Sequence, residues 1–331
     1  MEYIDKLISN NHLQESLIEC DKHNFVNLRE LLEKISSTTT TSFTRVLLCC
    51  NWCSNEEICN LWNKMSKGNN FTWNNIKIVA SEPCDFYCII NKPPDNVKYD
   101  PTKTIILRME PYMDKKSYLW GEEWSVPSKD IFKYISFHDK NLNTFEWHLS
   151  KTYNQLTTDE IIKDDQNILS TVLSNKYADP GHIKRIDFVK FLESKSMEVH
   201  VYGGNKFSWI NYKGSLPPHQ KDVAMFPYKY TFNVENHSIK NYCTEKLIDG
   251  ILSETLVFYS GCYNIKEYID ERAYVYLDLI DFEKDYETIK KAISEDWWSQ
   301  RLPYIKEAKT KILNEYQFFP KLEKIINNIF V

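Results

Sequence analysis

Glycine is scarce in this chain, with eight among 331 residues. That leaves little material for the glycine-rich loops that cradle phosphates by backbone alone. No run of about eighteen apolar residues occurs anywhere, so a membrane-spanning helix is not expected. The start, "MEYIDKLISNNHLQESLIECDKHNF", opens on an acid and lacks an uninterrupted apolar segment, so no targeting signal is expected either. A strong excess of positive charge is also missing. Lysine and arginine total 41 against 46 acids, a net charge of −5, so no global basic field favours nucleic acid. Nine cysteines, an odd number with Cys49 and Cys50 adjacent, fit reduced cytoplasmic usage rather than a disulfide framework. Neither an internal repeat nor an Asp-x-Asp motif is found. Glycosylation sequons occur at Asn70 and Asn236.

What is present is an ordinary globular composition, 42% hydrophobic and 26% charged, in a chain long enough for two domains. Residues 1–35 carry apolar residues at helical spacing, and "SSTTTTS" at 36–42 reads as a linker. From residue 44 the pattern turns to short apolar runs: "TRVLLCC", "IKIVAS", "DFYCIIN" and "TIILRME", with a helix at "NEEICNLWNKM" capped by Asn55. "ISFHDKN" is a further short element. The second half reads more cleanly. "NILSTVLS", "MEVHVYG", "YTFNVE", "TLVFYSG" and "AYVYLDLI" predict strands, separated by helices at "HIKRIDFVKFLES" and "CTEKLIDGILS". Strands alternating with helices predict an α/β fold with parallel, doubly wound sheets, two of them facing across a cleft.

Ligands of such sheets bind where strands end and helices begin. "ENHSIKNYCTEK" (235–246) concentrates polar groups at one such junction. The helix opening near Thr244 offers free N–H groups to an anion. Lys246 in its first turn opposes the helix dipole unless an anion binds there, and Glu245 can accept from two vicinal hydroxyls. A plain capping arrangement on a surface helix fits the same residues. Arg185 begins the helix after the preceding strand and can reach the same anion. In the first half, Glu110 ends the strand "TIILRME" before Pro111, a suitable place for a general base. Glu122 and Glu123 are rival bases, and Asp114 a weaker one. Zinc at Cys50, Cys53, Cys84 and Cys88 competes with simple strand packing, and no metal site is expected.

"YKYTFNVENHSIKNYCTEK" (228–246) resembles the signature of the α-1,3/4-fucosyltransferases, glycosyltransferase family 10, with the seven-residue spacing from Glu235 to Tyr242 kept. "SNKYADPGHIKRIDFVKFL", "VHVYGG" and "RMEP" resemble the family's Ser-Asn and Arg segment, its following strand and glycine turn, and its catalytic-glutamate segment. The resemblance spans about 105–300. It implies a GT-B architecture: two Rossmann-like domains, with acceptor approached from the first and donor held by the second. The corresponding division is a helical extension and linker at 1–42, an acceptor domain at 43–160, a donor domain at 161–300, and C-terminal helices at 301–331 packing back on the first domain. It further implies an inverting transfer of fucose from GDP-fucose to a glycan hydroxyl, with no cofactor or metal required. By position, Glu110 becomes the general base. Arg185 and Lys246 neutralise the diphosphate, Glu245 binds ribose, and Asn236, Tyr242 and Ser174 line the donor pocket.

The sequence departs from the family pattern at Val234 (usually Phe), at His237 (usually Ser) and at Pro111, which follows Glu110 directly. Other readings of the chain are a transferase for another nucleotide sugar, a non-catalytic nucleotide-sugar or carbohydrate-binding protein, and an interaction protein working through 1–35.

Overall fold

The computed structural model describes residues 43–95, 97–111, 122–136 and 142–329. The helices expected at 1–35, the linker at 36–42, Asp114 and all of "ISFHDKN" after Ser136 lie outside the described residues. Of Glu122 only the backbone is described, in the helical turn Glu122–Ser125.

Two six-stranded sheets organise the chain. The first contains β1 (Thr44–Cys50), β2 (Thr72–Trp73), β3 (Ile76–Val79), β4 (Phe86–Ile90), β5 (Thr104–Leu107) and β6 (Tyr134–Ser136). Its order is β2-β3-β1-β4-β5-β6, parallel except for the edge strand β2. The second contains β7 (Leu169–Leu173), β8 (His200–Gly203), β9 (Tyr212–Gly214), β10 (Tyr230–Val234), β11 (Leu256–Ser260) and β12 (Tyr274–Tyr276). It is parallel throughout, in the order β12-β11-β10-β7-β8-β9. Counted from β7, this is the 3-2-1-4-5-6 order of a Rossmann sheet, and the chain reverses direction between β7 and β10. The continuous apolar runs are the fully buried strands. Every residue of β4, β5, β10 and β11 is buried, as expected for parallel strands covered on both faces.

Six helices of eight or more residues are described: α1 (Asn55–Asn63), α2 (Pro180–Ser194), α3 (Glu245–Leu252), α4 (Phe282–Ser294), α5 (Trp297–Lys311) and α6 (Phe318–Ile329). α1 is capped by Ser54 rather than Asn55. The Ser54 hydroxyl accepts from Glu57 N, and the Glu57 carboxylate accepts from Ser54 N, a reciprocal cap that the amide of Asn55 does not provide. α3 buries Leu247, Ile248, Ile251 and Leu252 against the second sheet, each worth about 1.5–3 kcal/mol of apolar burial. On α2, Ile186, Val189 and Leu192 are buried as the periodicity predicts, and Phe188 joins them.

The chain crosses between lobes twice. Residues 142–152 run from the first sheet toward the second, and Asn143 N donates to Asn241 O at 2.8 Å beside an isolated parallel bridge to Tyr242. At the other end, residue 300, the expected edge of the donor domain, falls inside α5. Beyond it α6 lies on the first lobe. Phe318 packs on Trp62 and Phe319 stacks on Trp73, while Glu323 accepts from Trp73 Nε1 at 3.3 Å and Asn74 Nδ2 at 2.8 Å.

Candidate active site

The reversal between β7 and β10 opens a crevice at the carboxyl ends of both strands. Ser174 follows β7, and Glu235 and Asn236 follow β10. α2 closes tightly over this point. Gly181 N donates to Asn236 O at 3.0 Å, and a Cβ at Gly181 would lie 1.8 Å from Glu235 O. Only glycine admits that approach. One turn later, Arg185 is buried and spans the crevice. Its guanidinium donates to Val234 O at 3.1 Å, Asn236 Oδ1 at 3.2 Å and Ser174 Oγ at 3.2 Å. All three acceptors are neutral, and Arg185 Nε is buried without a hydrogen bond. Burial holds the guanidinium pKa below its ordinary value against the pull of Glu245 and Glu235.

The loop after β10 returns to α3 through Thr244. Its side chain caps the helix by accepting from Lys246 N, while its own N–H and hydroxyl donate to Glu235 at 2.7 and 2.6 Å. Glu235 is fully enclosed, and burial pushes its carboxyl above the usual range despite the nearby Lys246 ammonium. Glu245 meets Lys246 at 3.2 Å and Lys221 at 3.3 Å. Burial alone would raise its pKa, but Lys246, Lys221 and His148 outweigh that and hold it well below the carboxylate range. Lys221 continues to Asp249, wholly buried, at 2.9 Å. Asp249 in turn accepts from His148 N at 2.7 Å.

Two cavities adjoin here. One, of about 270 Å³, is lined by Ser174, Lys176, Arg185, Asn236, Glu245 and Lys246, among others. The second, of about 180 Å³, reaches the first lobe through Glu110 and Asn143, and its far wall includes Tyr242. Asn236, Glu245 and Lys246 line both. The seven residues carried over from the family resemblance, Ser174, Arg185, Asn236, Tyr242, Glu245, Lys246 and Glu110, each border at least one of these two cavities. Glu110 exposes much of its surface there, yet the surrounding cleft walls desolvate it and raise its pKa, with Lys246 pulling the other way. Its backbone is pinned by Asn91 at the end of β4, whose side-chain oxygen accepts from Met109 N at 2.7 Å and Glu110 N at 3.4 Å. Glu123 borders neither cavity and is solvent-exposed.

Reasoning from the sequence did not identify Lys221, Asp249, His148 or Asn91. Each acts through partners distant in the chain, and no local spacing marks them. Among the described residues no three cysteines have metal-ligand spacing. Cys50 and Cys53 Sγ lie 3.3 Å apart, but the group with metal-ligand spacing among the described residues is Glu146, His148 and His219.

Residues 162–295 match the family model described as glycosyltransferase family 10 (fucosyltransferase) C-term. No curated protein matches the chain in sequence. The fold is similar to that of a crystallised alpha1,3-fucosyltransferase (TM-score 0.54, 17% identity, 88% of this chain and 90% of that one). It is also similar to an alpha1,3-fucosyltransferase solved with GDP (TM-score 0.50, 17% identity, 85% and 93%). An alpha-glucosyltransferase in complex with UDP and a 13-mer DNA is likewise similar (TM-score 0.55, 10% identity, 87% and 100%). The two-lobed architecture is GT-B.

Proposed function

Residues 162–295 place this chain among the glycosyltransferases of family 10, and on that premise we propose that it transfers fucose from GDP-fucose to a hydroxyl of a glycan, inverting the anomeric centre. The observation that carries the donor half is Arg185, a buried guanidinium with only neutral hydrogen-bond acceptors. A desolvated cation in that state is costly unless an anion arrives. Lys246 at the start of α3 borders the same hollow, and helix N-termini favour phosphate. In this reading Arg185 and Lys246 take the diphosphate, Glu245 takes the ribose hydroxyls, and Ser174, Asn236 and Tyr242 complete the donor pocket.

Glu110, from the opposite lobe, removes the acceptor proton as the oxygen attacks the anomeric carbon. The bond to GDP breaks in the same displacement, and the departing charge develops against Arg185 and Lys246. A raised carboxyl pKa suits a base working near neutrality. The displacement runs on these side chains without a metal or cofactor. A fucose donor is supported by the family of the matched domain and by the relative crystallised with GDP. Among the described residues no helix is long and apolar enough to cross a membrane. The eight described cysteines are free, and operation in the cytoplasm belongs to the same reading.

Calorimetric titration with GDP, GDP-fucose, GDP-mannose and UDP-sugars tests the donor, and transfer by wild type against Glu110→Gln tests the base. GDP-fucose binding with turnover lost only in the variant is the expected result. A response confined to UDP-sugars overturns the donor assignment, and full turnover by Glu110→Gln overturns the base.

A further inference from the structure

Beside the cleft, on the segment joining the lobes, lie Glu146 and His148. His219 approaches them from the loop after β9. One ligand atom from each of the three falls within 4.8 Å of the other two. Much of this cluster is explained by hydrogen bonding. Glu146 accepts from Trp62 Nε1 at 2.9 Å and meets His148 Nε2 at 3.2 Å. His219 is not so explained. Its ring stands edge-on to His148 with centroids 4.3 Å apart, and its Nδ1 is buried with no hydrogen-bond partner. His219 also holds a left-handed backbone, φ 56°, a conformation that costs energy for a residue with a Cβ.

A buried, unpartnered imidazole nitrogen is an unused acceptor or donor beside a carboxylate and a second imidazole. Two imidazoles and one carboxylate are a zinc donor set, with a fourth position left open. We propose that Glu146, His148 and His219 bind one first-row divalent cation, Zn²⁺ by preference. Ligand atoms of a tetrahedral zinc with ~2.0–2.1 Å bonds lie about 3.4 Å apart, so modest side-chain rotation closes the site. The local charges allow it. Lys221 is taken up by Asp249 and Glu245, and Lys64 donates to Leu149 O, leaving Glu146 to the cation.

The site adds a link where the two lobes already meet through Lys221 N, which donates to His148 O at 2.9 Å, and through Ser150, which donates to Asp222. Trp62, on α1 of the first lobe, holds Glu146, while His219 belongs to the second lobe. Glu146 and His148 also border the smaller cavity beside Glu110. The ion is therefore a clamp between lobes next to the cleft. This inference does not depend on the nature of the donor or on any chemical step.

Metal analysis of the full chain after incubation with Zn²⁺ and dialysis is expected to give one zinc per chain. His219→Ala and Glu146→Gln should each weaken binding at least tenfold, with GDP binding kept as an independent check on folding. Zn²⁺ should raise the melting temperature of wild type but not of His219→Ala. Co²⁺ substitution discriminates the cysteines: a nitrogen and oxygen site gives visible bands without thiolate charge transfer. Retention of well under one zinc per chain, a thiolate signature, or unchanged affinity in both variants overturns the proposal. Loss of GDP binding with zinc binding intact counts against the proposed function alone.

Discussion

The Lys246 ammonium stands 3.5 Å from the enclosed carboxylate of Glu235, and the Thr244 hydroxyl is bonded to both. A cation in the first turn of a helix is disfavoured by the helix dipole. Here two carboxylates, Glu235 and Glu245, offset that cost, and their attraction outweighs burial to keep Lys246 charged, its pKa above the ordinary value. The ammonium is thus held in one place before any ligand arrives, which lowers the ordering cost of binding.

Arg185→Met should weaken GDP binding by roughly 2–4 kcal/mol, a factor of about 30 to 1,000. Folding stability should change much less, because an apolar side chain replaces a buried charge with neutral partners. Titration calorimetry and urea unfolding on the same protein separate the two effects. A large loss of stability with unchanged GDP affinity would show Arg185 to be a packing residue.

Lys221→Met should be costly to the fold. It leaves Asp249, with no exposed surface, as a buried carboxylate whose remaining described partner is His148 N. Breaking such a pair costs about 3–5 kcal/mol. Lys221→Met/Asp249→Asn should recover much of that. Equal melting temperatures for the single and double variants would contradict the pairing.

Activity should fall as the medium is acidified through the Glu110 pKa, which lies above the ordinary carboxylate value because the cleft desolvates it. With Glu110 as the proposed base, its protonation lowers kcat/KM on the acid side. Lys246 depresses that pKa from across the cleft. Lys246→Met should therefore move the acid limb to higher pH as well as lowering the rate. The sign for stability is the reverse of that for activity: a carboxyl with raised folded pKa favours the fold below its unfolded pKa, and that contribution disappears as pH rises through the folded value. A limb unmoved by Lys246→Met would sever the two lobes electrostatically.

Gly181→Ala should cost ~3 kcal/mol or more, since its methyl group would meet Glu235 O at 1.8 Å. The obstacle is backbone, not a side chain that can swing away. Thermal unfolding with GDP titration should show both stability and affinity reduced. A wild-type melting temperature would mean the helix and loop sit farther apart.

The strands most easily read from sequence were those whose burial is complete. β4, β5, β10 and β11, buried at every residue, are dominated by apolar side chains, and such runs have one stable destination in a parallel sheet. β9, Tyr212–Gly214, has no buried residue, and β2 spans two residues at an edge; neither leaves a periodic mark. Asn55 does not cap α1, because its amide donates to Ala80 O at 3.1 Å while Glu57, at the third helical position, completes the reciprocal cap with Ser54. Arg185, Glu245 and Lys246 were visible because they lie at strand-to-helix junctions. Lys221 and Asn91 were not, since their meaning arises only when segments far apart in the chain are brought together.

α6 has a consequence for how the molecule is made. Trp62 and Trp73 are covered by Phe318 and Phe319, which leave the ribosome about 250 residues later. The first lobe cannot seal its aromatic core until α6 has been made. Non-local closure of this kind slows folding and leaves apolar surface open meanwhile.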